Sequence, residues 1–209
     1  MRPAARLVKS RDLERSRQEI LGVAFLEVYH HGFQGVSVDD IVAKTSLTKG
    51  AFYHHFPTKL DLGYAIVDDM LAGLIIDRWI TPLDAYSNPL EGIARQMELL
   101  IGTADAAALR MGCPLNNLVQ EMAPIDKGFK RRLQGVLNLW IDKLETHIRR
   151  GQKSGFVRRD VNARQVAHFV VLMHEGSYGL LKGLGDPAAF RTLFASVKQY
   201  LKSIEVPNQ

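Results

Sequence analysis

The sequence predicts an all-α protein, and three observations carry that prediction. Apolar residues recur at helical spacing along most of the chain. Capping side chains stand in front of those stripes, and Gly or Pro stands behind them. No strand-type alternation is sustained, and neither an internal repeat nor a low-complexity segment interrupts the pattern. The expected layout is a three-helix N-terminal head over residues 1–58, followed by a larger helical body over residues 59–209.

The first helix is expected from about Asp12 to His31. Leu13, Ile20, Leu21, Ala24, Phe25 and Val28 form its inner stripe, while Arg15, Gln18, Glu19 and Glu27 face away and Gly32 ends it. Ser37, with an acid three residues on at Asp40, caps a short helix from Val38, whose apolar side is Val38, Ile41 and Val42. Thr45, Ser46 and Leu47 break the pattern, and Thr48 caps a second short helix over Lys49–His55. Phe52 and Phe56, four apart, pack that helix inward and leave Lys49, Tyr53 and His54 on its other sides. Pro57 stops it, and Thr58 with Asp61 caps the next helix, from Lys59. Two short helices joined by a tight turn, the second with exposed cationic and aromatic groups, form a helix-turn-helix.

That pattern assigns roles. Gly50 lets the backbone approach a duplex closely, and Lys49 reaches guanine or phosphate. Tyr53 and His54 extend along the exposed side, while His55, nearer the next helix, is partly structural. Lys59 adds an ammonium to the free N–H groups of a helix start, an anion site. Ser37 and Thr48 cap their helices and leave backbone N–H groups for phosphate.

The run IVAKTSLTKGAFYHHFPTKLDL resembles the helix-turn-helix of TetR-type bacterial repressors. Their recognition helix commonly reads S-K-G-T-L-Y-x-H-F, followed by a helix-starting S/N-K-x-x-L. Thr48, Lys49, Gly50, Phe52, Tyr53, His55, Phe56, Lys59 and Leu62 carry the match. The resemblance implies that Thr48, Lys49, Gly50, Tyr53, His55 and Lys59 contact DNA, while Phe52 and Phe56 are core. Two departures stand out. The family usually has Ala-Gly in the turn where this chain has Thr45-Ser46, which asks for a non-glycine residue in the left-handed region. Ala51 stands where the family often has Thr or Ser, replacing a hydroxyl contact by an apolar one, such as to a thymine methyl.

Composition agrees with that partner. The formal charge is +5, and residues 1–17 hold six Arg or Lys (Arg2, Arg6, Lys9, Arg11, Arg15, Arg17) against Asp12 and Glu14, a basic arm placed to touch phosphate. The single cysteine, Cys113, excludes an intrachain disulfide and points to a reducing compartment. No run of about 18 apolar residues and no signal-peptide core occurs, so a cytoplasmic protein is expected. Phosphate-binding glycine loops are absent. His168 and His174 are spaced wrongly to share one helix face, no C-x-x-C is present, and neither a metal nor another cofactor is expected.

In the body, a long helix from Lys59 to about Ile80 carries Leu62, Ile66, Met70, Leu71, Leu74 and Ile75. Helices over Pro89–Arg110, Pro114–Met122, Ile125–Ser154, Ala163–Lys182 and about Pro187–Ile204 follow. The segment from Val166 to Leu181 is apolar or small on nearly every side, and the last helix has a stripe of Phe190, Leu193, Phe194, Val197, Tyr200 and Leu201. Two such helices point to a homodimer interface, as does the family resemblance. Candidate lining residues for an apolar inducer pocket are Trp79, Met97, Met111, Asn117, Trp140, Phe169 and Met173. Gly112-Cys113 with Asn117-Leu118 resembles a G-C-x-x-x-N-L stretch in a branch of the family that includes electrophile- and redox-responsive repressors. Cys113, just ahead of a helix start and three residues after Arg110, is then either a thiol of lowered pKa that senses a reactive species or a small buried packing residue. The functional expectation is a dimeric repressor of a near-palindromic operator, released by a small-molecule inducer or reactive species. The alternative is an all-helical small-molecule-binding or thiol enzyme with no DNA role.

Overall fold

The computed structural model describes residues 3–103, 110–185 and 187–207, with side chains for all of these except 3–10, 101, 103 and 187–190. The expected contributions of Arg2, Arg6, Lys9 and Phe190, and residues 104–109 of the expected Pro89–Arg110 helix, lie outside the described part. The regular elements among the described residues are all helices, and their only ladder-type pairing is one isolated bridge between Val157 and Glu205. Helix α1 spans Pro3–His31, α2 Val38–Val42 and α3 Lys49–His55. Helix α4 is a continuous run over residues 59–83. Then come α5 (Pro89–Thr103), α6 (Pro114–Met122), α7 (Lys127–Lys153), α8 (Ala163–Leu184) and α9 (Pro187–Ser203). None of these helices is long and apolar enough to cross a membrane.

The chain divides into two compact units, residues 1–71 with 117–133 and residues 72–116 with 134–209. The core of the first unit is built from Ile20, Leu21, Ala24, Val28, Ile41, Phe52, Phe56, Leu62 and Ile66, all buried. It also takes in Phe129 from α7, whose ring meets Phe33 edge-on at 4.8 Å. Glu121, near the end of α6, accepts hydrogen bonds from the backbone N–H groups of Phe33 and Gln34 at 2.9 and 2.8 Å, holding the turn after α1. That turn begins at Gly32, whose φ of +79° is left-handed and whose N–H donates to the Val28 carbonyl. In the second unit Trp79, Trp140, Leu83, Ile93, Leu144, Ile148, Val166 and Val170 make the core.

Three local expectations change. Helix α1 begins at Pro3 instead of Asp12, because Pro fits a first helical turn and Ala4, Ala5, Arg6 and Leu7 all favour helix. Leu13 is exposed and Phe25 half-buried, so the inner stripe is confined to Ile20, Leu21, Ala24 and Val28. Helix α4 is not a uniform α-helix: Ile66–Leu71 and Ile76–Ile80 are π-type turns, which shift the register of every later side chain on it.

Candidate nucleic-acid interface

Three caps set the reading head. Ser37 Oγ accepts from Asp40 N–H at 3.1 Å, while the Asp40 carboxyl accepts from the Ser37 hydroxyl at 2.6 Å and from its N–H at 2.8 Å; the hydroxyl, and then the N–H, hold that carboxyl below its usual range. Thr48 Oγ1 accepts from Ala51 N–H at 3.2 Å. Thr58 and Asp61 repeat the reciprocal arrangement at the start of α4. Each cap oxygen satisfies one of the donors that a helix start leaves free, so helices as short as α2 and α3 hold their direction.

The turn between α2 and α3 closes without a left-handed residue: among the described residues no non-glycine has positive φ. Thr45 N–H bonds back to the Val42 carbonyl, and Ser46 donates both N–H and hydroxyl to Glu19 of α1, at 2.6 and 2.8 Å. The Ser46 N–H, and then its hydroxyl, hold the Glu19 carboxyl below its usual range. A side-chain anchor replaces the glycine expected from the resemblance.

Helix α3 buries Phe52 and Phe56 and presents Lys49, Gly50, Tyr53 and His54 to solvent, with Tyr53 half exposed at 50% and Ala51 between the two sides. Ser37 and Thr48 are exposed as well. Lys49 is not free: its ammonium meets Asp39 of α2 at 2.5 Å, and that bond raises its pKa. His55 Nε2 lies 2.7 Å from Ser16 Oγ of α1, and burial lowers its pKa, as a partly structural role requires. Lys59 is half-buried, its Nζ 4.6 Å from the centre of the Phe33 ring, and burial lowers its pKa. Arg17 pairs with Asp69 at 2.6 Å and lies over Phe56. A charged residue that the sequence reading missed, Asp39, thus controls the foremost base-reading candidate.

The body candidates stand in several settings. Trp79 and Trp140 are buried with ring centres 5.1 Å apart, and His174 sits against both at 5.0 and 5.1 Å. Met97 is buried, while Met111 and Met173 are half-buried, as is Asn117, which belongs to the first unit. Phe169 meets Tyr200 with ring centres 4.1 Å apart and planes tilted by 44°, and helps line an open apolar groove of about 570 Å³ with Leu137, Ile141, Gln165, His168, Val171 and Leu172. Cys113 is buried, and its thiol donates to Glu175 Oε1 at 3.4 Å. The expected lowering of its pKa is reversed, because burial and then the Glu175 carboxylate push the thiol far above its usual range. Burial also pushes Glu175 up to about 7 and His174 down to about 3.

Comparison with known proteins places this geometry. A model described as "Bacterial regulatory proteins, tetR family" matches residues 20–66, and one described as "Tetracyclin repressor-like, C-terminal domain" matches residues 89–197. The HTH-type transcriptional repressor DhaR of Mycobacterium sp. (strain GP1) is 28% identical over 153 residues, 73% of this chain and 74% of that protein. The transcriptional regulator AcuR of Cereibacter sphaeroides is 26% identical over 168 residues, 79% of this chain and 76% of that one. In fold, the chain superposes on a TetR-family transcriptional regulator from Cytophaga hutchinsonii with a TM-score of 0.83, at 22% identity and covering 94% of this chain and 98% of the other.

Proposed function

The chain belongs to the tetR family of bacterial regulatory proteins, and we propose that it works as a homodimeric repressor released from a near-palindromic operator by a small-molecule inducer. In this reading residues 1–58 read the duplex and residues 59–209 bind the inducer and dimerise. Both curated relatives described above carry the names of transcriptional regulators, which favours this reading over a helical enzyme. The observation that carries the proposal is the outward side of α3: Lys49, Gly50, Ala51, Tyr53 and His54 on a helix anchored from behind by Phe52 and Phe56. Tyr53 and the exposed backbone N–H groups at the Ser37 and Thr48 caps serve phosphate, Lys49 serves guanine once it leaves Asp39, and His55 and Lys59 support the flank.

Dimerisation is proposed through α8 and α9. Leu172, Leu180 and Leu184 are 67%, 51% and 63% exposed on α8. A methyl group added at Gly176, Gly179 or Gly183 would meet nothing within 4 Å, so this side is open to close approach by another helix. The groove beside Phe169, within the roughly 300–1,000 Å³ range of ligand pockets, suits an apolar inducer. Any inducer that lowers operator affinity must lose its own affinity to DNA by the same factor.

The test is footprinting on a duplex selected from a random pool. Two protected half-sites with centres roughly 34–36 Å apart are expected from a two-headed reader. A paired Leu172→Asp, Leu180→Asp chain, monomeric by sedimentation, should lose the double footprint. A single protected half-site with the native chain would overturn the dimeric reading.

A further inference from the structure

Cys113, His174 and Glu175 come together although Cys113 and His174 are 61 positions apart in the sequence. Each offers one ligand atom, and the three atoms lie within 4.8 Å of one another. Cys113 and His174 are buried. Gly112, with φ of +80°, makes the sharp turn that brings Cys113 in immediately before Pro114 starts α6. Asn116 on α6 donates to the Glu175 carbonyl of α8 at 3.4 Å, tying the two helices together beside the cluster. The imidazole is packed edge-on against Trp79 and Trp140 and close to Tyr178, so its orientation is set by three rings.

We propose that these three side chains form a binding site for a borderline-soft divalent transition-metal ion of the Zn²⁺ or Co²⁺ type. Around a tetrahedral ion with metal–sulfur near 2.3 Å and metal–nitrogen or metal–oxygen near 2.0–2.1 Å, neighbouring ligand atoms stand roughly 3.5 Å apart. Cys113 Sγ and Glu175 Oε1 are already 3.4 Å apart. The His174 ligand atom lies within 4.8 Å of both, so the set closes round an ion by a shift of up to roughly 1.3 Å, judged against that same spacing. A second observation points to a missing partner: Glu175 Oε2 is buried and accepts no hydrogen bond among the described residues.

The donor set selects the ion. One thiolate, one imidazole and one carboxylate suit zinc and its neighbours and not magnesium or calcium, which favour oxygen alone. On binding, the Cys113 thiol gives its proton to solvent, and thiolate plus carboxylate neutralise the dication in a setting that penalises isolated charge. Three protein ligands leave the fourth tetrahedral position to water. The metal site does not depend on DNA reading.

Cobalt titration of the full reduced chain tests it, because Cys113 is the sole cysteine and any thiolate-to-cobalt absorption band must come from it. Exposed His30, His31 and His54 offer imidazole only and add no such band. The native chain should develop the band to one ion per chain and lose it when Zn²⁺ is added. Cys113→Ala should lack it, and Glu175→Gln and His174→Gln should bind at least about tenfold more weakly, the lower end of losses for groups that merely orient a ligand. Should Cys113→Ala fail to fold, the native spectrum and Glu175→Gln decide the matter. No band with the native chain, or a band of equal affinity in both the Glu175 and His174 variants, overturns the site.

Discussion

Replacing Gly63 by Ala tests the packing that supports the head. A methyl group there would lie 2.5 Å from Phe129 Cζ and 2.5 Å from Phe33 Cε2, far inside contact distance. Both rings belong to the buried core, so neither can swing clear. Overpacking of this kind costs about 1–3 kcal/mol, and Ala returns up to about 1 kcal/mol of helix propensity. Set against about 1 kcal/mol of propensity, the net loss is about 0–2 kcal/mol, which lowers the melting temperature by up to roughly 8 °C for a chain of this size. The matched control is Gly22→Ala in α1, where the added methyl meets nothing within 4 Å and propensity alone acts, raising stability by up to about 1 kcal/mol. Because Phe33 carries Lys59 over its ring, Gly63→Ala should also weaken operator binding, while Gly22→Ala should not. Thermal unfolding by circular dichroism and operator titration read both effects. A melting temperature for Gly63→Ala equal to or above that of Gly22→Ala would refute the packing argument.

Other perturbations follow the same logic. Glu121→Gln removes the carboxylate that accepts from Phe33 and Gln34; thermal unfolding should show a loss of about 1–3 kcal/mol, as for charged hydrogen bonds. Glu19 has a folded-state pKa below its usual value of 4.5, so its bonds to Ser46 add stability above that value, and the contribution fades as pH falls through the lower folded value. Urea midpoints of native chain and Glu19→Gln should therefore differ at neutral pH and converge in acid. Asp39→Asn frees Lys49 and should tighten operator binding at low salt, measured by fluorescence anisotropy. Cys113, buried and with its thiol pKa raised, should react with a thiol-specific chromogenic reagent far more slowly in the metal-free native chain than in urea.

The head was legible because its signals are local. Ser37 with Asp40, Thr58 with Asp61, and Thr48 before Lys49 act within one helical turn, and the structure shows each cap in place. Phe52 and Phe56 gave the inward side of α3 by spacing alone. What escaped was set by distance along the chain. Nothing near Ser46 announces that Glu19, 27 residues earlier, will capture its N–H in place of a glycine turn. Asp39 looked like a first-turn acid of α2, yet it holds Lys49 across the turn. His174 and Glu175 come close to Cys113 from another helix boundary, a proximity that spacing within one helix cannot announce. The π-type turns of α4 carry no residue that marks them, yet Leu71 and Ile75 of the expected stripe are buried, while Met70 and Leu74 are only half-buried.

The central claim is that the exposed side of α3, with the α4 start beside it, grips DNA. Its most direct test is the salt dependence of operator affinity for the native chain and the Tyr53→Ala, Lys59→Ala double variant, both shown folded by thermal unfolding. The account predicts weaker binding across sequences and a slope of log affinity on log salt that is shallower by about 1 or more, as phosphate contacts are lost. Equal affinity and equal slope for the two proteins would contradict it.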